Sequence, residues 1–132
     1  MTRQRVLVVD DDDSIRWVVR RTLEQLGLEV LDLDDGAGAP EMLARSPVDL
    51  LVIDLYMPGM NGFELLRRVR QPEQGVLAAS GTLSRVPVLV ISGESHTASI
   101  KNAKALGASA YLTKPVDVDE LIAAVEQLLQ RG

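Results

Sequence analysis

Short, uninterrupted aliphatic runs recur along the chain, and they constrain its fold more than any other feature of the sequence. The runs occupy residues 6–9, 30–31, 50–53, 86–91 and 110–112. A strand with one face in water alternates apolar and polar residues, whereas most of these runs are continuous and β-branched. Such runs are typical of parallel strands that are covered on both faces. We therefore predict five strands of a parallel sheet.

Apolar residues recur at helical spacing between these runs. The stripes are Ile15, Val18, Val19 and Leu26 in the first segment, Leu65, Leu66 and Val69 in the third, and Leu121, Ile122, Val125, Leu128 and Leu129 in the fifth. Shorter helices are predicted near residues 42–45 and 99–106. Residues that start or stop helices support these boundaries: Gly27 and Gly107 at C-termini, Pro40 in a first turn, and Asp117 with Glu120 as a capping box. Alternating strands and helices predict a doubly wound α/β fold.

Polar residues stand at the carboxyl ends of the predicted strands, where doubly wound sheets bind their ligands. Asp10, Asp11, Asp12 and Asp13 end the first strand, Asp54 ends the third, Ser92 ends the fourth, and Lys114 follows the fifth. Because the strands are predicted to be parallel, we expect acids, a hydroxyl and a lysine to converge on one edge of the sheet.

This set of residues suits phosphoryl transfer. Clustered carboxylates repel one another, and Mg²⁺ removes that conflict by binding one or two carboxylates, waters and a phosphate oxygen. A carboxylate can also attack phosphorus to give an aspartyl phosphate. Mg²⁺ and a lysine then balance the charge on the phosphoryl oxygens. One acid is predicted to accept the phosphoryl group, others to hold Mg²⁺, and Lys114 and Ser92 to contact the phosphate.

Each of these residues also has a purely structural interpretation. An acidic run after a strand is commonly a solvated turn or a helix N-cap, and we favour the cap for Asp12 or Asp13. A single aspartate at a strand end is more often a turn former than a nucleophile. These interpretations explain poorly why such residues occur together at successive strand ends.

Composition argues against several other functions. The net charge is −5 and aromatic residues make up 3% of the chain, so no direct nucleic-acid binding is expected. The chain has no cysteine, which excludes disulfides and thiolate metal sites and favours a cytoplasmic setting. The first apolar run stops at Asp10, too early for a signal peptide or a membrane span.

The strand-end motifs resemble those of the receiver domains of two-component response regulators. The matching stretches are Val8-Val9-Asp10-Asp11-Asp12, Asp54-Leu55-Tyr56-Met57-Pro58-Gly59-Met60-Asn61-Gly62, Val90-Ile91-Ser92-Gly93, and Gly107-Ala108 through Lys114-Pro115. The resemblance implies one receiver domain over residues 1–132, with a flavodoxin-like sheet of order 2-1-3-4-5 and five flanking helices. Ser14-Ile15-Arg16-Trp17 also resembles the start of the first helix in nitrogen-regulation-type regulators.

The resemblance implies a role for each matching residue. Asp54 corresponds to the phosphoacceptor, which takes its phosphoryl group from a histidine kinase. Asp10, Asp11 and the backbone carbonyl of Tyr56 correspond to ligands that hold Mg²⁺ beside Asp54, with Asp11 the more direct of the acidic pair. Lys114 corresponds to the lysine that contacts the phosphate, and in the family a cis peptide bond follows it.

A conformational switch is implied as well. Ser92 corresponds to the hydroxyl that moves toward the phosphoryl group, and Tyr111 to the aromatic that turns inward with it. By composition alone, a half-buried strand residue is the favoured interpretation of Tyr111. The implied surface for an output domain or partner comprises the fourth helix, fifth strand and fifth helix, where exposed apolar residues would permit a phosphorylation-dependent dimer.

Some features depart from the family pattern. Ser92 stands where threonine is commoner, and Tyr56 and Glu94 occupy positions that tune the lifetime of the acyl phosphate. Residues 71–85 form a longer connection between the third helix and the fourth strand than family members usually have. A tolerated insertion is the favoured interpretation, and an apolar partner-contact loop is the alternative. The single histidine, His96, is predicted to be exposed and without function.

Two other functions share parts of this pattern. A receiver-like interaction module that signals without phosphate usually lacks some of the acids or the lysine. This sequence has all of these acids and the lysine. A haloacid-dehalogenase-type phosphatase has its nucleophile after the first strand and a second acid two residues on. Here Asp54 follows the third strand, and Tyr56 stands two residues on. The favoured interpretation is a phosphoacceptor that promotes only its own phosphorylation and slow dephosphorylation, rather than an enzyme.

Overall fold

Five parallel strands form one sheet in the computed structural model, which describes residues 3–71 and 85–130. The strands are β1 (Arg5–Val9), β2 (Glu29–Leu33), β3 (Leu50–Ile53), β4 (Val88–Ser92) and β5 (Ala110–Thr113). Their order is β2-β1-β3-β4-β5, which confirms the predicted topology. The fourth strand begins at Val88 rather than at residue 86. Pro87 has no N–H to donate to a ladder, so it precedes the strand instead of joining it.

Helices connect successive strands within the described part of the chain. They are α1 (Asp13–Gln25), α2 (Ala39–Arg45), α3 (Gly62–Arg70), α4 (Thr97–Ala105) and α5 (Val118–Leu128), with a short 3₁₀ helix over Gly36–Gly38. The predicted stops are confirmed, because Gly27 and Gly107 follow α1 and α4 with φ of 83° and 108°. Only glycine adopts such angles without strain, so the chain turns there into the next strand.

Both faces of the sheet are covered, which explains the uninterrupted apolar runs. Successive side chains of a strand point to opposite faces. In β1, Leu7 and Val9 join the apolar cluster under α2 and α3, while Val6 and Val8 join the cluster under α1 and α5. All four are essentially inaccessible to solvent. Burial of each such side chain stabilises the fold by roughly 1.5–3 kcal/mol. This gain explains why residues 6–9 are all apolar and why the next polar residue, Asp10, comes only after the strand ends.

Helix α3 starts in close contact with the backbone that follows β3. The Gly62 N–H donates to the Leu55 carbonyl at 2.9 Å. A Cβ atom at Gly62 would lie 2.1 Å from the carbonyl oxygen of Asp54 and 2.8 Å from the Cα of Leu55. A methyl group cannot occupy that space without displacing backbone. Glycine at this position therefore lets α3 fix the loop that carries Asp54.

Residues 72–84 of the predicted insertion lie outside the described residues. The interpretations of that stretch as a tolerated insertion or as a partner-contact loop therefore both stay predictions. Among the helices of residues 3–71 and 85–130, none has the length and apolar character needed to cross a membrane.

Candidate functional site

The backbone at the carboxyl edge holds the strand-end residues in place. Asp10 and Asp54 directly follow β1 and β3, and the Asp54 N–H donates to the Val9 carbonyl at 3.1 Å. On the other side, the Lys114 N–H donates to the carbonyl of Ser92 at 2.9 Å. These bonds continue the hydrogen-bonding pattern of the sheet beyond its strands. The edge is therefore a rigid base for the side chains that it carries.

Three carboxylates meet at this edge. Oxygens of Asp10, Asp11 and Asp54 all lie within 4.8 Å of one another. Asp10 and Asp54 are only 3% and 5% exposed, whereas Asp11 is exposed. Two buried acids and one accessible acid thus surround a small space that opens to solvent on the side of Asp11.

Lys114 contributes the positive charge of the site. Its Nζ donates to Asp54 Oδ2 at 3.0 Å and lies 3.1 Å from Asp10 Oδ2. Burial by itself would lower the pKa of Lys114, but its hydrogen bonds to both carboxylates and their charges outweigh that effect and raise it. Lys114 is therefore a permanent ammonium at neutral pH, bound to the two buried acids at once. The Lys114–Pro115 peptide bond is cis, as predicted.

Ser92 and Tyr111 converge on Glu94, in the loop that joins β4 to α4. The fully buried Ser92 hydroxyl accepts a hydrogen bond from the Glu94 N–H at 3.3 Å. The Tyr111 hydroxyl donates to the Glu94 carbonyl. Tyr111 is half-buried, and desolvation raises its pKa, so the phenol stays protonated and keeps donating. The loop is thus anchored from both β4 and β5.

One of the acids beside the site caps helix α1, as predicted. The side chain of Asp12 accepts from the Ile15 N–H at 3.1 Å as the N-cap of α1, and Asp13 is the first helical residue. Sequence reasoning missed Arg16, which donates to the Asp10 carbonyl at 2.8 Å and to Asp13 at 2.6 Å. The three-residue spacing of Asp13 and Arg16 would have indicated the ion pair, but not the bond to Asp10.

Tyr56 connects the loop after β3 to α4. Its backbone N–H donates to Asp54 Oδ1 at 3.3 Å, and its side chain is 52% exposed. The phenol hydroxyl hydrogen-bonds to the Ser99 hydroxyl at 3.2 Å. His96, the N-cap residue of α4, is exposed as predicted, and its Nδ1 lies 3.0 Å from Glu94 Oε1.

Comparisons with known proteins agree with this geometry. The family model of the response regulator receiver domain matches residues 6–126. The chain belongs to the response regulator receiver domain family.

Relatives of this receiver domain include short and long proteins. It is 34% identical over 128 residues to the chemotaxis protein CheY of Pseudomonas aeruginosa, covering 96% of this chain and 97% of that protein. It is 38% identical over 129 residues to the DNA-binding transcriptional regulator NtrC of Escherichia coli K12, covering 98% of this chain. The chain spans 25% of the length of that NtrC. The NtrC match agrees with the nitrogen-regulation resemblance at the start of α1.

The fold has close structural counterparts. The chemotaxis protein CheY4 of Vibrio cholerae superimposes with a TM-score of 0.83 at 30% sequence identity, covering 96% of this chain and 99% of that one. The sheet order and the alternation of strands and helices predicted from sequence are therefore those of a receiver domain.

The donor atoms at the edge fit a hard divalent cation. The carboxylates of Asp10, Asp11 and Asp54 offer oxygen atoms only, which is the ligand type that Mg²⁺ prefers. Two of the three are buried beside a single lysine, so the negative charge of the cluster exceeds the positive charge that contacts it. A cation near Asp11 would correct that imbalance.

The receiver domain is expected to become more stable when Asp10 is replaced by asparagine. Burial raises the pKa of Asp10, and the hydrogen bond from the Asp12 N–H and the nearby Lys114 only partly oppose it. The folded state then holds its proton more tightly than the unfolded state, so stability falls as pH rises through that window. Asparagine stays neutral and still accepts the Asp12 N–H bond.

Thermal melts of the metal-free protein test this expectation. Asp10→Asn should raise the Tm by a few degrees at neutral pH. The gain should shrink below the ordinary pKa of an aspartate, where Asp10 is also neutral. A lower Tm for Asp10→Asn at neutral pH would show that ionised Asp10 stabilises the fold.

Proposed function

We propose that this receiver domain accepts a phosphoryl group from a histidine kinase on Asp54 and switches conformation in response. The observation that carries the proposal is the position of the Asp54 carboxylate, which is buried, bonded to the ammonium of Lys114, and within 4.8 Å of two other carboxylates. A structural turn former needs none of these partners. The same grouping supplies what phosphoryl transfer to a carboxylate requires.

The proposed transfer is stoichiometric. A carboxylate oxygen of Asp54 bonds to phosphorus, the bond between phosphorus and the histidine nitrogen of the kinase breaks, and an acyl phosphate results. Lys114 holds Asp54 before transfer and offers its ammonium to the phosphoryl oxygens after it. Asp10, Asp11, Asp54 and the backbone carbonyl of Tyr56 would hold Mg²⁺, which neutralises charge on those oxygens when bound. Slow hydrolysis of the same acyl bond resets the protein.

The proposed switch acts through the loop between β4 and α4. A phosphoryl group on Asp54 offers the Ser92 hydroxyl a new acceptor, and Ser92 and Tyr111 both contact Glu94 in this loop. A change at Ser92 can therefore alter the position of α4 relative to β5. The output surface is proposed to be α4, β5 and α5, where Val118 is 43% exposed. An output domain, a downstream protein or a second copy of the chain, all in the cytoplasm, would bind there.

Incubation with a small phosphodonor tests the proposed function. With acetyl phosphate and Mg²⁺, the intact protein should gain the mass of one phosphoryl group. That added mass should be lost slowly after the donor is removed. Chelation of Mg²⁺ by EDTA should prevent the gain. A protein that is folded by circular dichroism, yet takes up nothing with Mg²⁺ present, would favour the phosphorylation-independent interaction module.

A further inference from the structure

The side chain of Tyr56 crosses the carboxyl edge of the sheet. Its backbone lies two residues beyond Asp54, after β3, whereas its hydroxyl lies 3.2 Å from that of Ser99 in the first turn of α4. β4 is the neighbour of β3 in the sheet, and α4 follows β4. The phenol therefore extends from the loop after one strand to the helix after the next.

A second contact orients the ring. Tyr56 packs edge-on against Phe63 of α3, with ring centroids 5.9 Å apart and an interplanar angle of 79°. Such T-shaped contacts are a favoured arrangement of aromatic pairs. The ring is thus held by α3 and by α4, although half of its surface faces solvent and it belongs to neither apolar cluster. Core packing does not account for its position.

The same residue also contacts the proposed acceptor. The Tyr56 N–H donates to Asp54 Oδ1 at 3.3 Å, so the start of the side chain is fixed relative to the carboxylate. Asp54 itself is 5% exposed. With so little of Asp54 accessible, the groups at its opening decide which molecules reach it.

We propose that Ser99 is a positioning residue that holds the Tyr56 phenol across one side of the opening to Asp54. The consequence, which rests on the proposed function, is that the phosphoryl group is lost more slowly and that donors with small leaving groups are favoured. In the loss reaction a water oxygen bonds to phosphorus, the bond from phosphorus to the Asp54 oxygen breaks, and inorganic phosphate leaves. A fixed ring restricts both the attacking water and a donor's leaving group.

Kinetics of Ser99 and Tyr56 variants test the proposal. Ser99→Ala should speed phosphoryl loss about threefold, the size of effect that one exposed hydrogen bond allows. It should also raise the rate of phosphorylation by acetyl phosphate more than the rate of phosphorylation by phosphoramidate, whose leaving group is smaller. Tyr56→Phe should have the same effects, and adding Ser99→Ala to it should change nothing further, because both remove one contact. Ser99→Thr keeps the hydroxyl and should preserve the original values.

Thr97→Ala is the matched control, because Thr97 is an exposed hydroxyl residue in the same turn of α4 and the Tyr56 hydroxyl bonds to Ser99 instead. Thr97→Ala should leave the loss rate and the donor ratio unchanged. If the wild-type protein takes up no phosphoryl group, the proposed function fails. If it does, and Ser99→Ala leaves the loss rate and donor ratio unaltered, the positioning role is overturned alone. Equal acceleration in Thr97→Ala would indicate general loosening of α4 and would also overturn it.

Discussion

Asp54→Asn is expected to eliminate phosphoryl incorporation from acetyl phosphate, while the protein stays folded. The amide has nearly the shape of the carboxylate, and its oxygen can still accept the Tyr56 N–H bond that Asp54 Oδ1 accepts at 3.3 Å. An amide oxygen or nitrogen is, however, not a competent nucleophile toward phosphorus under these conditions, because it lacks the carboxylate charge. Intact-protein mass measured after incubation with donor and Mg²⁺ reports the result.

Asp34→Asn provides the control for that experiment. Asp34 is an exposed acid that directly follows β2, at the same edge of the sheet, and its replacement removes the same charge. The control should take up one phosphoryl group at the wild-type rate. Uptake by Asp54→Asn at a comparable rate would show that another residue is the acceptor.

Replacing Lys114 with methionine is expected to lower the free energy of unfolding at neutral pH by about 2–3 kcal/mol, because two buried carboxylates lose the cation that contacts both. Methionine keeps the apolar stem and removes the ammonium that lies 3.0 Å from Asp54 and 3.1 Å from Asp10. Without it, the two neighbouring carboxylates have no ammonium between them to offset their mutual repulsion. The loss should therefore be largest above the ordinary pKa of aspartate and should diminish as pH falls toward it.

Urea unfolding with and without Mg²⁺ separates this effect from simple loss of packing. Mg²⁺ should recover much of the lost stability of Lys114→Met, because a cation at the acids replaces the missing charge. Lys101→Met, at an exposed position of α4, is the control and should change stability little. If Lys114→Met were equally destabilised at low pH and in saturating Mg²⁺, the loss would come from packing rather than from unpaired carboxylates.

The strands and their polar ends could be predicted because each depends on local sequence. A run such as residues 50–53 is apolar on both faces, and Asp54, the first charged residue after it, marks where the strand stops. The same reasoning located Asp10 and Lys114. Once the strands are parallel, their carboxyl ends must meet at one edge, and the structure brings the three side chains into contact there.

The start of α4 could not be predicted in the same way. The helix begins at Thr97, two residues before the predicted start, and its N-cap residue His96 makes no side-chain capping bond. Ser95, Thr97 and Ser99 are all residues of types that commonly cap helices, and the first turn has no apolar stripe. The sequence therefore does not single out one of them as the boundary. Helix α1, by contrast, has Asp12 as its cap, one of the two cap residues that the sequence favours.

Contacts between distant segments were also beyond sequence reasoning. The bond from Tyr56 to Ser99 joins residues 43 positions apart in the chain. It depends on the distance from the loop after β3 to α4, which only tertiary packing sets. The contact of Gly62 with the Asp54 carbonyl is similar, because glycine is compatible with a turn or with close packing. Both contacts determine how the residues around Asp54 are arranged, and local sequence does not reveal that arrangement.

Chemical trapping of the phosphorylated protein tests the role of Asp54 most directly. Borohydride reduces an aspartyl phosphate to homoserine, and peptide mass spectrometry then locates the changed residue. After incubation with acetyl phosphate and Mg²⁺, homoserine should be found at position 54 and should be absent when Mg²⁺ is chelated. Homoserine at the position of Asp10 or Asp11, or a phosphoryl group on His96 with Asp54 unchanged, would contradict the assignment of Asp54 as the phosphoacceptor.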